Sequence, residues 1–472
     1  MKKSILFKLL FLTLGIVNTN ADVILHAFNW KYKDIEANAD IIQKAGYKKV
    51  LISPPLKTID NGEWWGRYQP LDIRVIDNPL GNKNDVSSLI KKLNQYGIDT
   101  YADVVLNHMA NETFIGNNTL SYPGNVLLQE YQQDKVYYET QKIFGDLSIN
   151  IFSAADFHKP FCIQNWTDVY QVQDGRLCGP APDRGLPDLN EDSNNVIKNQ
   201  QDYLKALKNM GIKGFRVDAA KHMSNKQINS VFTPEITNGI HVFGEIITSG
   251  GKNTIEYDKF LKPYLENNKT HGAYDFPLFA TIRSAFAYGG DMSLLVDPFS
   301  RNQALPNDRA ITFTITHDIP TNKEFRYQIM DSTDEKLAYA YVLGRDGGVP
   351  MVYSDHNETS DNRWNGYFNQ ENIKAMIKFH NVMQGSPMQY LSYNQCYILF
   401  SRISQDGNIK GIVGINKCNF EQDILLDPKK YSLYKGKNYI DALDNKDVIN
   451  INNGSFTLKI PPRTAKMWSV EG

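Results

Sequence analysis

Apolar, β-branched runs alternate with amphipathic helical stretches along most of this 472-residue chain. Several helical stretches end at a glycine, such as Gly46 and Gly97, as helices commonly do. Eight strand–helix units of this kind predict an α/β fold with a closed parallel (β/α)8 barrel, a TIM barrel. A doubly wound open sheet is the alternative, but no glycine-rich dinucleotide loop follows the first strand. The predicted strands are Val23–Trp30, Lys49–Ser53, Tyr101–His108, Gly214–His222, His241–Ile247, Gly272–Phe276, Ala310–His317 and Val349–Tyr353.

The alternation is interrupted once and then stops before the C-terminus. Residues 109–188 are rich in Asn, Asp, Gly and aromatic residues, and a structureless loop of that length is improbable in a compact domain. They therefore predict a subdomain inserted after the third strand. Beyond residue 385, short alternating runs between turn residues predict an antiparallel β-sandwich domain. The expected division is a barrel of residues 22–108 plus 189–385, an inserted subdomain of residues 109–188, and a C-terminal domain of residues 386–472.

The N-terminus has the pattern of a secretory signal peptide. Lys2 and Lys3 precede an apolar run that ends at Val17, and small and polar residues follow. The predicted cleavage is after Ala21, so residues 1–21 form the signal peptide. A membrane anchor is the alternative, but the apolar run is short and interrupted. We therefore expect a secreted or periplasmic protein without a membrane anchor after cleavage.

Four cysteines are present, and an oxidising compartment would allow two disulfides. Sequence proximity favours Cys162–Cys178 and Cys396–Cys418, although four cysteines can pair in three ways. Zinc binding is the alternative, but no histidine pair lies nearby at ligand spacing.

Acidic, basic and imidazole side chains fall at the C-terminal ends of the predicted strands. In a parallel barrel these ends and their loops form the active site, so the side chains should converge on one face. Carboxylates gathered there repel one another, which raises at least one pKa and supplies a proton donor. Glycosidic bond cleavage uses such acids, one attacking the anomeric carbon and one protonating the leaving oxygen. Any one acid alone could equally form a structural salt bridge. The residues are Asn107, His108, Asp218, Lys221, His222, Glu245, His317 and Asp318.

Five separated motifs resemble those of the alpha-amylase family of retaining glycoside hydrolases, and they occur in the order of that family. The resemblance spans most of the predicted barrel and implies a barrel, a subdomain after its third strand and a C-terminal β-sandwich. The motifs are Asp103–His108 (DVVLNH), Leu186–Asn190 (LPDLN), Gly214–His222 (GFRVDAAKH), Gly244–Ile246 (GEI) and Phe313–Asp318 (FTITHD).

The resemblance implies a role for each acid of the predicted site. Asp218 is expected to be the nucleophile, kept ionised by Arg216 two residues earlier on the same strand. Glu245 is expected to be the general acid/base. Asp318 resembles the third acid of the family, which binds the sugar at subsite −1 and stabilises the transition state.

The resemblance also implies substrate contacts around these acids. His108 and His317 are similar to the imidazoles that donate to hydroxyls of the −1 sugar. Lys221 and His222 resemble contacts on the leaving-group side. Tyr68 resembles the aromatic platform under the −1 ring, whereas Trp64 and Trp65 fit either a platform or a packing role.

A structural calcium ion is a further implication of the resemblance. Asn107, Asp188 and the main-chain oxygen of His222 match calcium ligands of the family, and Gln173 resembles a position that supplies a carbonyl in some members. Calcium takes about six to eight oxygens, so this set is incomplete. The alternative is that ligand-type residues are present without a metal. Thr316 stands where chloride-activated members carry asparagine, which argues against chloride dependence.

The expected activity is hydrolysis of internal α-1,4-glucosidic bonds in starch- or glycogen-type glucans. A maltooligosaccharide-specific or transglycosylating member of the family is one alternative, and a non-catalytic glucan-binding relative is another. The formal net charge of −1 gives no electrostatic reason to expect nucleic acid as a partner. A monomer acting on α-glucan polysaccharide or maltooligosaccharide is expected.

Overall fold

The computed structural model describes residues 23–114, 120–356, 362–427, 430–451 and 456–471, so the predicted signal peptide lies outside the described residues. Eight parallel strands form a closed barrel in the order β1-β8-β7-β6-β5-β4-β3-β2, which confirms the predicted fold class. The strands are β1 (Ile24–Ala27), β2 (Lys49–Ile52), β3 (Asp99–Val104), β4 (Gly214–Val217), β5 (His241–Gly244), β6 (Gly272–Tyr274), β7 (Ala310–Thr312) and β8 (Val349–Ser354).

Several strands end earlier than the sequence predicts. β3 ends at Val104 instead of His108, and β4 ends at Val217 instead of His222. The amide of Asp218 donates to the carbonyl of Val104 at 3.0 Å, and the amide of Glu245 donates to that of Val217 at 3.0 Å. These are the last bonds between neighbouring strands, so each acid follows directly after its strand. The chain then leaves the sheet and carries its polar side chains into the mouth of the barrel.

Two of the helices around the barrel are irregular. The first is divided at Asn38 into Tyr32–Ala37 and Ala39–Ala45. The other begins as a π-helix at Tyr257–Leu261 and continues as Lys262–Asn267. No helix among the described residues is long and apolar enough to cross a bilayer. The other main helices of this part are Lys83–Gln95, Asn194–Met210, Asn225–Val231, Pro234–Thr237, Phe276–Phe286, Ser332–Gly344 and Glu371–Val382.

The segment between β3 and β4 begins with short strands and helices of its own. Its chain returns to the barrel mouth, where the amide of Leu189 donates to the Asn107 carbonyl at 2.9 Å and His108 pairs with Asp188 in a β-bridge. The predicted disulfide Cys162–Cys178 is present. The elements are the strand pair Ser121–Tyr122 and Phe152–Ser153 and the helices Asn125–Gln133, Lys135–Gln141 and Val169–Asp174.

The C-terminal region forms two antiparallel sheets packed face to face. A six-stranded sheet has the order β9-β10-β11-β16-β13-β14, and β12 pairs with β15. Leu399, Ile424 and Trp468 belong to the apolar core of this region. The predicted disulfide Cys396–Cys418 is present. The strands are β9 (Met388–Tyr393), β10 (Tyr397–Ile403), β11 (Ile409–Asn416), β12 (Gln422–Leu426), β13 (Asn438–Asp441), β14 (Val448–Asn450), β15 (Phe456–Ile460) and β16 (Thr464–Val470).

A buried arginine of β10 joins this β-sandwich to the barrel helices. The Arg402 guanidinium donates to the carbonyls of Gly344 and Arg345 at 2.8 and 2.9 Å and to those of Met383 and Ser386 at 2.9 and 2.8 Å. These carbonyls lie at or just beyond the C-terminal ends of two helices, where backbone oxygens lack helical partners. A cation at a helix C-terminus is also favoured by the helix dipole.

Candidate active site

Arg216, on β4, is the charged centre of the barrel mouth, and its side chain is fully buried. Its Nη1 lies 2.8 and 2.9 Å from the two carboxylate oxygens of Asp103 and 2.7 Å from Asp218 Oδ1. Its Nη2 forms an ion pair with Glu245 Oε1. One guanidinium therefore contacts acids from three neighbouring strands, β3, β4 and β5.

Asp103 is a site residue that the sequence analysis did not single out, although it begins one of the quoted motifs. It points into the barrel from β3, where it binds Arg216 and accepts a hydrogen bond from the Tyr68 hydroxyl at 2.9 Å. Burial raises its pKa to about 7 while Arg216 opposes the rise. An acid inside a predicted buried strand requires a counter-charge. This requirement could have identified Asp103 from the sequence.

Glu245 and Asp318 are two further acids whose pKa the site raises. Burial raises the pKa of Glu245 to about 8, Arg216 opposes this rise, and the charges of Asp318 and Asp218 add to it. Burial likewise raises the pKa of Asp318 to about 6, and a hydrogen bond with Glu245 counteracts part of the rise. Glu245 is thus protonated at neutral pH. Repulsion among the acids, which the sequence predicts as the cause of such a shift, contributes less to the Glu245 pKa than burial does.

His317 lies between two aromatic rings at the edge of this acid cluster. Its imidazole stacks on the Tyr68 ring at 5.2 Å and on the Phe28 ring at 4.7 Å, with interplanar angles of 6° and 13°. The Trp64 ring meets the imidazole edge-on at 5.8 Å, so Trp64 has a packing contact here. Burial, with Arg216 and His26, holds the His317 pKa well below its usual range. His317 is therefore a neutral imidazole, and its Nε2 lies 3.6 Å from Asp318 Oδ1.

His108 uses its ring nitrogens differently from the expectation. Its Nε2 donates to the main-chain oxygen of Tyr68 at 3.0 Å, and its Nδ1 lies 3.4 Å from the Asn107 amide nitrogen. Burial lowers its pKa, so the ring carries one N–H. That N–H is directed at the Tyr68 carbonyl instead of a sugar hydroxyl. In this structure, His108 binds the loop that carries Tyr68.

Lys221 and His222 lie together beside Glu245. The Lys221 amide donates to the Glu245 carbonyl at 3.2 Å, and its ammonium lies 5.2 Å from the centre of the Phe260 ring. Burial lowers the Lys221 pKa. The His222 Nδ1 donates to the Val172 carbonyl at 3.0 Å, and the half-exposed Trp166 meets its ring edge-on. The inserted segment therefore forms part of the wall on this side of the site.

The expected calcium ligands lie where the inserted segment joins the barrel. The Asn107 amide donates to Asp188 Oδ1 at 3.0 Å. No hydrogen bond between described residues uses Asn107 Oδ1 or the main-chain oxygens of Gln173 and His222. Spare amide and carbonyl oxygens beside a carboxylate are the hard donors that calcium prefers, so this set fits the ion. The described part of the chain holds no cluster of three or more His, Cys, Asp or Glu side chains suited to a metal.

His158 supports Asp188 and was not identified from the sequence. Its Nδ1 lies 2.7 Å from Asp188 Oδ2 and its Nε2 lies 3.3 Å from Glu191 Oε2. Burial opposes protonation, but the hydrogen bonds to these two carboxylates raise the His158 pKa to about 10. His158 therefore fixes the orientation of the Asp188 carboxyl group. It belongs to the irregular inserted segment, where no strand end indicates which side chains converge.

Comparisons with known proteins found a matching family model and several similar proteins. A family model described as the alpha amylase catalytic domain matches residues 32–397. The alpha-amylase of Aeromonas hydrophila is 57% identical over 448 residues, which cover 94% of this chain and 94% of that protein. Alpha-amylase I of Eisenia fetida, solved with maltohexaose, has a TM-score of 0.72 at 20% identity and covers 95% of this chain and 97% of its own. The Geobacillus thermoleovorans alpha-amylase, solved with acarbose, has a TM-score of 0.70 at 17% identity, with coverages of 96% and 98%.

Proposed function

Because the chain belongs to the alpha-amylase family, we propose that it hydrolyses internal α-1,4-glucosidic bonds of starch- and glycogen-type glucans by double displacement with retention. The observation that carries this proposal is that Asp218 and Glu245 bind neighbouring nitrogens of one guanidinium. This favours the carboxyl spacing of about 5–5.5 Å found in retaining enzymes over the wider spacing of inverting ones. The maltohexaose bound to the Eisenia fetida enzyme supports a linear glucan as the substrate class.

In the first step, Asp218 attacks the anomeric carbon while Glu245 donates its proton to the leaving oxygen. The hydrogen bond from Arg216 to Oδ1 orients the Asp218 carboxylate for this attack. The buried position of Glu245 keeps its proton available at neutral pH. In the second step, Glu245 removes a proton from water, and the resulting hydroxide displaces Asp218 with the α configuration restored.

The remaining residues bind the sugar on either side of the scissile bond. Tyr68 presents its ring to the −1 sugar, held by the hydroxyl bond to Asp103. His317 and Asp318 bind hydroxyls of that sugar, and these bonds strengthen as the ring flattens toward the oxocarbenium-like transition state. Lys221 and His222 contact the leaving-group side. The His108 N–H contributes indirectly through the Tyr68 loop.

The calcium ion expected of the family has a structural role in this proposal. Asn107, Asp188 and the main-chain oxygens of Gln173 and His222 would hold it, with Asp188 oriented by His158. When bound, the ion would link the inserted segment to the barrel beside Lys221 and His222.

The two disulfides support a secreted or periplasmic location, where such bonds persist. We keep residues 22–108 plus 189–385, 109–188 and 386–472 as the proposed domains and a monomer as the proposed state. Light scattering of the purified protein tests the monomer, and N-terminal sequencing of the exported protein tests cleavage after Ala21.

The direct test of the catalytic assignment compares Glu245→Gln and Asp218→Asn with Glu335→Gln. Glu335 is a matched control because it is also a buried glutamate bound by an arginine, Arg363, but it lies away from the acid cluster. The first two variants should lose at least about 10³-fold in kcat on soluble starch while remaining folded. Glu335→Gln should lose stability and keep its kcat. Normal hydrolysis by Glu245→Gln would refute the assignment.

Product analysis separates the proposed activity from the related alternatives. Endo-hydrolysis should reduce starch viscosity rapidly and release mixed linear oligosaccharides. A single short product would instead support a maltooligosaccharide-specific enzyme, and longer or cyclic transfer products would support transglycosylation.

A further inference from the structure

The imidazole of His317 is oriented without a hydrogen bond at its inner nitrogen. Histidines that act on a substrate through one ring nitrogen are usually oriented by a hydrogen bond at the other nitrogen. Here Nε2 faces Asp318, while the buried Nδ1 has no partner among the described protein atoms. Rotation of the ring must therefore be restrained by the groups that pack against its faces.

Phe28 and Tyr68 cover the two faces of the His317 imidazole. The Phe28 ring is the closer, with a centroid distance of 4.7 Å against 5.2 Å for Tyr68. Tyr68 is itself held by its hydroxyl bond to Asp103. Because both rings are nearly parallel to the imidazole, a rotation of the imidazole plane would collide with both of them.

Phe28 is fixed in position by the barrel. It follows β1 directly, and its amide donates to the carbonyl of Ser354, the last residue of β8, at 3.1 Å. Its ring is buried and also meets the edges of His26 and Trp64 at 5.8 and 5.7 Å. The Phe28 side chain has no polar atom to bind a sugar hydroxyl, and one face of its ring is stacked on His317, so we assign its effect on the reaction to this contact.

We propose that Phe28 is a positioning residue for the reaction, whose ring face sets the plane of the His317 imidazole and thereby aims its Nε2 at the substrate. This inference rests on the proposed role of His317 at the −1 sugar. The residue that follows the first barrel strand then contributes to catalysis indirectly, whereas β3, β4 and β5 contribute the acids. Since the bond from His317 to the sugar strengthens in the transition state, misplacing the imidazole should lower kcat more than it raises KM.

The test compares Phe28→Leu with Phe279→Leu. Phe279 is a matched control, because it is also a buried phenylalanine with a stacked ring. Its ring stacks at 5.0 Å on Phe313, which lies in the same chain segment as His317. Both variants should lose melting temperature to a similar extent. Phe28→Leu should lower kcat on maltooligosaccharides by about 10- to 100-fold, as a small misplacement of a reacting group can do. Phe279→Leu should keep kcat within about twofold of the native value.

A double-mutant cycle with His317→Gln distinguishes action through His317 from a general effect on the pocket. If Phe28 acts through His317, adding Phe28→Leu to His317→Gln should lower kcat by less than about twofold more. Full additivity of the two losses would overturn the inference. Phe28→Tyr keeps the flat ring and should restore kcat to within about threefold of native, whereas Phe28→Met fills the space without a ring and should not. These two variants carry the test if Phe28→Leu folds poorly.

The outcomes also separate this inference from the function on which it rests. If His317→Gln lowers kcat but Phe28→Leu and Phe28→Met leave it unchanged, the positioning role is wrong and the proposed active site stands. If His317→Gln itself leaves kcat unchanged, the proposed role of His317 fails, and the role of Phe28 fails with it.

Discussion

Arg216→Met should destabilise the protein strongly, and by an amount that depends on pH. The substitution keeps an apolar stem of similar length but removes the only guanidinium bound to Asp103, Asp218 and Glu245 within the described residues. Breaking a buried ion pair by removing one partner costs about 3–5 kcal/mol, because the other charge stays buried and uncompensated. Three carboxylates lose their partner here, so we expect the upper part of that range near pH 8.

The pH dependence follows from the acids that remain. Burial already raises the pKa of Asp103 from 3.8 to about 7 and that of Glu245 from 4.5 to about 8, with Arg216 opposing both shifts. Without Arg216 both folded-state values rise further, while the unfolded values stay the same. A carboxyl with a raised folded pKa favours the folded state at low pH, and this contribution is lost as the pH rises through the folded pKa. The loss of unfolding free energy in Arg216→Met, relative to the native protein, should therefore be small near pH 5 and largest above pH 8.

The assay is urea denaturation followed by tryptophan fluorescence at pH 5 and pH 8. Arg402→Met is the matched control, because Arg402 is equally buried but donates to four carbonyls instead of carboxylates. It should lose about 2–4 kcal/mol at both pH values, since those carbonyls do not titrate. If Arg216→Met lost the same unfolding free energy at both pH values, the reasoning would be refuted. The loss would then not come from the ionisation of the neighbouring acids.

Three further predictions follow from the site. The alkaline limb of kcat/KM should have an apparent pKa near 8, because Glu245 must hold its proton to act as the acid, and its buried pKa is about 8; a rate that is flat to pH 9.5 would contradict this. Chelation should lower the melting temperature, calcium should restore it, and Asp188→Asn should weaken the response; a native melting temperature insensitive to chelators would contradict the calcium site. In chloride-free acetate buffer kcat should equal that in chloride, because Thr316 replaces the asparagine of chloride-activated members; activation by chloride would contradict this.

The barrel could be predicted from the sequence because each strand–helix unit has a local pattern and the pattern repeats along the chain. Apolar runs of strand length alternate with helices that end at residues such as Gly46 and Gly211, both in the left-handed conformation that glycine adopts easily. The ends of the strands were less predictable. The residues from Val105 to His108 continue the apolar run of β3, so the sequence indicates a longer strand. They leave the sheet because the inserted segment pairs with them.

The acids at the strand ends were also accessible from the sequence, whereas their supporting partners were not. Asp218 and Glu245 directly follow runs that are readable as strands. Asp103 and Phe28 lie in or beside strands whose composition resembles ordinary core, and only the closure of the barrel brings them to Arg216 and His317. Contacts between residues so distant in the chain depend on strand order and register, which no local pattern encodes.

The anomeric form of the first product tests the central claim most directly. A maltooligosaccharide is hydrolysed by enough enzyme to finish within the first minutes, and proton NMR records the new reducing end before mutarotation. Attack by Asp218 followed by attack of water from the opposite side predicts the α anomer as the initial product. An initial β anomer would contradict the account, since it would require a single displacement and a water molecule between the two carboxyl groups.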